Sequence, residues 1–210
     1  DLDYHGEDEI FVTVGGSEAI DIAIRSIVNP GDEVIVPMPS FVCYEPIAKM
    51  AGAKVVIIDT KQENNFKLTP EELRNAITPK TKLLVLPFPN NPTGAVYTRE
   101  SLEALAALLK KKEAEYGTEI FLLTDEPYRE LTYGDYVPYI PSFYNNTVVC
   151  YSYSKSLSLP GERIGYVFVS PNCDDADDLF AAVCGAARSM GYVCAPSLMQ
   201  RVIAKCDGMT

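Results

Sequence analysis

Apolar, β-branched runs alternate with helical stripes along nearly the whole of this 210-residue chain, and that alternation limits the fold more than any other feature. Residues 17–28 carry Ile20, Ile24, Ile27 and Val28 on one helical face, and Asn29-Pro30-Gly31-Asp32 closes that helix as a turn. Residues 33–36 then read as a short strand, 44–50 as a helix stopped near Gly52, and 54–58 as a strand. Thr69-Pro70-Glu71-Glu72 predicts a helix start: Thr69 as N-cap, Pro70 at the first position and Glu72 three residues after the cap. A strand is expected over 81–86. Thr98 should cap a helix bearing Leu102, Leu105, Leu108 and Leu109, with Gly117 beyond its end. Strands over 119–123, 147–151 and 166–169 and helices over 174–190 and 193–203 complete the pattern. Segments 61–65 and 133–146 read as flexible.

Strand–helix alternation implies βαβ units. The expected fold is therefore α/β, a three-layer α/β/α sandwich around a mostly parallel sheet. The length suits one sizeable domain with a well-buried core. Ligands of such sheets bind beyond the carboxyl ends of the strands. Segments 89–94, 125–128 and 152–155 each follow a strand, so chemistry should be sought there. The sequence shows no internal repeat.

Composition removes several function classes. A net charge of −11 argues against a nucleic-acid or anionic-membrane surface, although a phosphate could still bind through local donors. No apolar run approaches a membrane span, and no signal peptide is visible. The six cysteines include no C-x-x-C pair, and His5, the single histidine, gives them no partner for a metal site. They read as reduced thiols of a cytoplasmic protein. The chain starts Asp1-Leu2-Asp3 and stops at Gly208-Met209-Thr210; both ends read as cut, as if one domain were taken from a longer protein.

Four segments, an arginine and a phenylalanine carry chemistry. In Ser152-Tyr153-Ser154-Lys155, a lysine stands where a buried strand is expected to open into a loop, with Arg163 eight residues on. Desolvation and a neighbouring cation both favour the neutral amine, a nucleophile toward aldehydes. In Thr124-Asp125-Glu126-Pro127-Tyr128, a carboxylate ends an apolar strand and faces desolvation unless it meets a cation; a helix N-cap is the plain alternative for Asp125. Glu126 and Arg129 read as solvated or structural. Gly15-Gly16-Ser17 opens a helix whose free amides suit an anion, or else Ser17 is an ordinary N-cap. Pro87-Phe88-Pro89-Asn90-Asn91-Pro92-Thr93-Gly94 is a rigid loop able to present a side chain. Phe41, after the 33–36 strand, is a core ring or a stacking platform.

Taken together and in their order along the chain, these segments resemble the class I/II aminotransferases, fold-type I enzymes dependent on pyridoxal 5′-phosphate. The resemblance covers essentially the whole chain, as the large cofactor-binding domain spanning 1–210. It implies a Schiff base between Lys155 and the cofactor aldehyde, with Lys155 then acting as general acid and base. It implies that Asp125 pairs with the pyridine nitrogen and that Asn91 and Tyr128 bond the ring oxygen. Phe41 would stack on the ring, while Gly15, Gly16, Ser17, Ser152, Ser154 and Arg163 would hold the phosphate. Lys155, Asp125 and Tyr128 are the expected catalytic residues. The implied activity is amino-group transfer between an amino acid and a 2-oxo acid in a homodimer. A C–S lyase, an aminocyclopropane-carboxylate synthase-like enzyme and the sensing domain of an aminotransferase-like transcription regulator share the motifs. The family's N-terminal segment and small domain, with the arginine that grips the substrate carboxylate, have no counterpart in the sequence, so Arg188 and Arg201 are assigned to large-domain helices.

Overall fold

The structure, a computed structural model, describes residues 4–206; both chain ends read as cut, 1–3 and 207–210, lie outside the described residues. Seven strands form one sheet: β1 (Ile10–Thr13), β2 (Glu33–Met38), β3 (Lys54–Asp59), β4 (Thr81–Pro87), β5 (Phe121–Asp125), β6 (Thr147–Ser152) and β7 (Gly165–Val169). Their order is β1-β7-β6-β5-β4-β2-β3. The neighbours from β3 through β6 pair in parallel, and β7 runs antiparallel to both β6 and β1. The helices are α1 (Gly16–Ile27), α2 (Tyr44–Met50), α3 (Pro70–Ala76), α4 (Arg99–Tyr116), α5 (Tyr153–Ser156), α6 (Ala176–Ser189) and α7 (Ser197–Ile203).

The two faces of the sheet build two cores. Val34, Val36, Leu83, Val85, Leu123, Val148, Cys150, Val167 and Val169 point to one side, where they meet Ile20, Ile24 and Ile27 of α1, Tyr44 of α2 and Val183 of α6. Ile35, Leu84, Leu86 and Leu122 point to the other and meet Leu73 of α3 and Leu102, Leu105 and Leu109 of α4. Side chains alternate across a strand, so a strand covered on both faces must be apolar throughout. That is why β4 and β5 read as continuous apolar runs. The α/β/α expectation holds, and so does the mostly parallel sheet.

Local helix signals translate directly. Thr69 Oγ1 accepts from Glu72 N at 3.2 Å while Thr69 N donates to Glu72 Oε2 at 2.9 Å, a complete capping box. Thr98 Oγ1 accepts from Ser101 N, and Gly117 ends α4 in the left-handed region at φ 67°.

Several expectations need correction. β1 was not anticipated; its four residues are held by β7. Helix α7 starts only at Ser197, because Val193 is left-handed (φ 65°) and Pro196 supplies no amide. Segment 61–65 contains a turn of 3-10 helix, Gln62–Asn64. The second half of segment 133–146 is anchored rather than loose. Ile140 and Tyr144 are buried, the Tyr144 hydroxyl donates to the Ile120 carbonyl, and Arg129 donates to the carbonyls of Val137 and Pro138. Lys155 stands on the one-turn helix α5 instead of in a loop.

Candidate active site

Parallel β4, β5 and β6 end side by side, with Pro87 opposite Asp125 and Asp125 opposite Cys150 in register. Beyond these carboxyl ends lies a cavity of about 230 Å³. Its lining includes Gly16, Ser17, Phe41, Asn91, Asp125, Tyr128, Ser152, Ser154, Lys155 and Arg163. Of the residues singled out in the sequence, Gly15 alone is missing from the lining; it lies immediately behind, as the N-cap of α1.

Asp125 forms the floor. It is buried, and the Tyr44 hydroxyl donates to its Oδ2 at 2.7 Å. No ion pair reaches it among the described residues. Burial pushes its carboxyl up from 3.8 to about 7; the Tyr44 bond pulls the other way, and neighbouring Glu126 adds to the rise. Asp125 is no helix cap, since residues 127–130 form turns. Glu126 is structural and not solvated: it is buried, paired with Arg129 at 2.6 Å and bonded by Thr124.

Two loops wall the cavity. The Asn90 amide nitrogen donates to Pro39 O at 2.9 Å and to Thr93 Oγ1 at 2.8 Å. This ties the loop after β4 to the segment after β2 and so sets Asn91 near Phe41. The Phe41 ring stands edge-on to Tyr44, with centroids 5.8 Å apart. Lys155 Nζ lies 5.8 Å from the centre of the Tyr128 ring. Burial, and then the nearby Asp125 charge, push the Tyr128 phenol up.

The opposite end gathers hydrogen-bond donors: the first amides of α1, the hydroxyls of Ser17, Ser152 and Ser154, and the Arg163 guanidinium. Gly15 caps α1 at φ 83°, ψ 174°, with no side chain bonded to the first amides of the helix. A Cβ at Gly15 would come within 2.5 Å of Arg163 Nη2, and one at Gly16 within 3.1 Å of Ser152 Cβ. A side chain at Gly15 would push the arginine away from these amides, and one at Gly16 would crowd the serine. Ser152 Oγ donates to Ser154 Oγ at 2.8 Å and accepts from Ser154 N. Arg163, itself left-handed at φ 54°, is braced by a 2.8 Å bond from Nη1 to Pro160 O.

One point differs from the sequence reading, and one alternative it left open falls away. Lys155 is exposed at the rim, so this chain by itself does not desolvate it. Ser17 is not the N-cap; α1 begins at Gly16, leaving Ser17 exposed toward the cavity. Sequence reasoning also missed Tyr44, Ile20 and Pro160 in the lining. Tyr44 lies three residues after Phe41, and a polar-tipped aromatic at that spacing was the available signal.

The class is thus a predominantly parallel α/β domain with its cavity at the carboxyl ends of the strands. The chain belongs to the family "Aminotransferase class I and II", whose model matches residues 2–206. It is 48% identical over 170 residues to the Bacillus subtilis protein named "Probable N-acetyl-LL-diaminopimelate aminotransferase", a match covering 80% of this chain and 41% of that protein. It is 38% identical over 170 residues to the aspartate aminotransferase of Geobacillus stearothermophilus, covering 79% and 42% respectively. The crystal structure of an amino transferase from Eubacterium rectale superposes with a TM-score of 0.94 at 44% identity, covering 98% of this chain and 52% of that one. The chain therefore spans about half the length of the relatives it matches.

Members of this family use pyridoxal phosphate. The residues present fit that group. A buried carboxylate without a cation partner suits a protonated ring nitrogen, and uncapped amides beside two glycines and an arginine suit a phosphate. Among the described residues no cluster of His, Cys, Asp and Glu could hold a metal, and no helix is long and apolar enough to cross a membrane.

Proposed function

We propose that this chain is the cofactor-binding domain of a pyridoxal-phosphate-dependent aminotransferase that moves an amino group between an amino acid and a 2-oxo acid. One observation carries the reading: residues from 16 to 163 of the sequence, on separate βα units, converge on a single cavity with an amine, a buried carboxylate and an anion cup. When bound, pyridoxal phosphate supplies an electrophilic aldehyde and an electron-withdrawing ring that stabilises negative charge at a substrate α-carbon.

The chain's own residues do the rest. The α1 amides, Ser17, Ser152, Ser154 and Arg163 bind the phosphate, Arg163 as a charge-assisted donor. Asp125 holds a proton on the ring nitrogen. Asn91 and Tyr128 orient the ring through its oxygen, and Phe41 covers its face. Lys155 takes the proton from the substrate α-carbon and later returns one, general-base and general-acid work for a single amine. Free thiols throughout support a reducing, cytoplasmic setting, and the exposed apolar side chains Met190, Tyr192, Val193 and Leu198 support a homodimer.

The test is covalent capture. Protein given pyridoxal phosphate and then borohydride should carry the label on Lys155, and Lys155→Ala should carry none. A label mapped to another lysine, with Lys155→Ala still labelled, would overturn the assignment.

A further inference from the structure

Tyr44 is among the most deeply buried large side chains of the protein, packed where α2 meets the sheet. Phenylalanine would fill the same space without burying a hydroxyl, and a hydroxyl buried in a core is costly unless it is bonded. The Tyr44 hydroxyl spends its hydrogen bond on Asp125 Oδ2, 81 residues away in sequence. Among the described residues no hydrogen bond reaches Asp125 Oδ1. One oxygen of the carboxylate is thus tied to the core while the residue lines the cavity.

We propose that Tyr44 is a positioning residue: its phenol fixes Oδ2 of Asp125, so that a charged carboxylate presents Oδ1 to a protonated heterocyclic nitrogen in the cavity. The inference rests on the cofactor reading above and adds a residue that acts through Asp125. Its chemistry is directional. The phenol is pushed well above its ordinary range by burial and by Asp125, so it remains a donor across the working pH range. A donor bonded to a carboxylate favours the ionised form. Of the other titratable groups around Asp125, Glu126 and Tyr128 from its own segment, Cys43 just before α2 and Cys150 from β6 oppose ionisation or are neutral, while Lys155 of α5 lines the same cavity without forming an ion pair with it. No lysine or arginine pairs with it among the described residues. Among the described residues Tyr44 is therefore the group whose hydrogen bond favours the charged form of Asp125 near neutral pH, where its titration falls.

Tyr44→Phe removes the donor and keeps the ring. In the ligand-free protein, carbon NMR of labelled aspartate should show Asp125 titrating about one pH unit higher, the effect of losing a hydrogen bond to a charged group. Pyridoxal phosphate affinity at pH 7 should fall about tenfold and recover as pH rises through the new titration. In an Asp125→Asn background the same substitution should leave affinity unchanged. Tyr44→Leu separates packing from bonding. A tyrosine that only fills space would make the leucine variant unstable, while the phenylalanine variant kept both the wild-type Asp125 titration and the wild-type pH profile of binding. That result would overturn the proposal, as would an Asp125 titration that moves without any change in binding. A wild-type protein that takes up no pyridoxal phosphate would instead overturn the functional reading, and the Asp125 titration would still decide whether Tyr44 sets that carboxylate.

Discussion

Replacing Asp125 with asparagine should make the ligand-free protein more stable and the site useless. The carboxyl of Asp125 is buried and titrates at about 7 instead of the ordinary 3.8. An acid held above its usual range binds its proton more tightly folded than unfolded, so it costs stability as pH rises through that window. Below 3.8 the residue is neutral in both states and the cost vanishes. Above 7 it is charged in both, and the cost reaches its plateau. The rise corresponds to about 4 kcal/mol at the plateau, most of it accumulated between pH 5 and 8. Asparagine keeps an acceptor for Tyr44 and cannot ionise. Urea unfolding of wild type and Asp125→Asn at pH 5 and pH 8 isolates the effect, because every other titrating group cancels between the two proteins. The variant's advantage should widen by about 2 to 3 kcal/mol from the lower pH to the higher. The same substitution should abolish tight cofactor binding, since the charge that stabilises a protonated ring nitrogen is gone. An advantage equal at both pH values would show that Asp125 is not held in a desolvating site, and the electrostatic account of the cavity floor would fail.

Two further outcomes follow from the same geometry. Gly15→Ala should lose about 1 to 3 kcal/mol, because φ 83° with ψ 174° is almost closed to residues with a side chain; its Cβ should also displace the Arg163 guanidinium and weaken phosphate affinity, both readable by denaturation and by cofactor titration. Arg129→Ala should cost several kcal/mol by stranding buried Glu126, whose carboxyl burial already pushes up and Arg129 holds down; limited proteolysis should then cut faster within 133–146, which Arg129 pins through two carbonyls.

What the sequence made legible is what local physics decides. The capping box at Thr69 and the left-handed stop at Gly117 involve residues a few positions apart, so spacing alone exposes them. β1 was missed for the opposite reason. Ile10–Thr13 is short, and its hydrogen bonds go to β7, more than 150 residues on. Val193 and Pro196 delay α7 although the composition of that stretch is helical. Segment 133–146 looked loose because Gly134, Pro138 and Pro141 interrupt it, yet Tyr144 holds it through a carbonyl on β5's approach that no window along the chain could contain.

The site was legible beyond what its residues deserve one by one, and the topology explains why. In a parallel sheet every strand ends at the same edge, so any segment that directly follows a strand is delivered to that edge. With β4, β5 and β6 adjacent, the residues after 87, 125 and 152 had to meet, whatever their chemistry. What stayed hidden was how those residues are held. Lys155 was expected to be desolvated and is exposed, because exposure depends on what covers the rim and not on the strand before it. Tyr44 was read as an ordinary helix residue, because its bond to Asp125 crosses from the unit of β2 to that of β5. Convergence at a strand edge can be read from order alone; the charge state and aim of each group require the packing of elements that the sequence does not set next to each other.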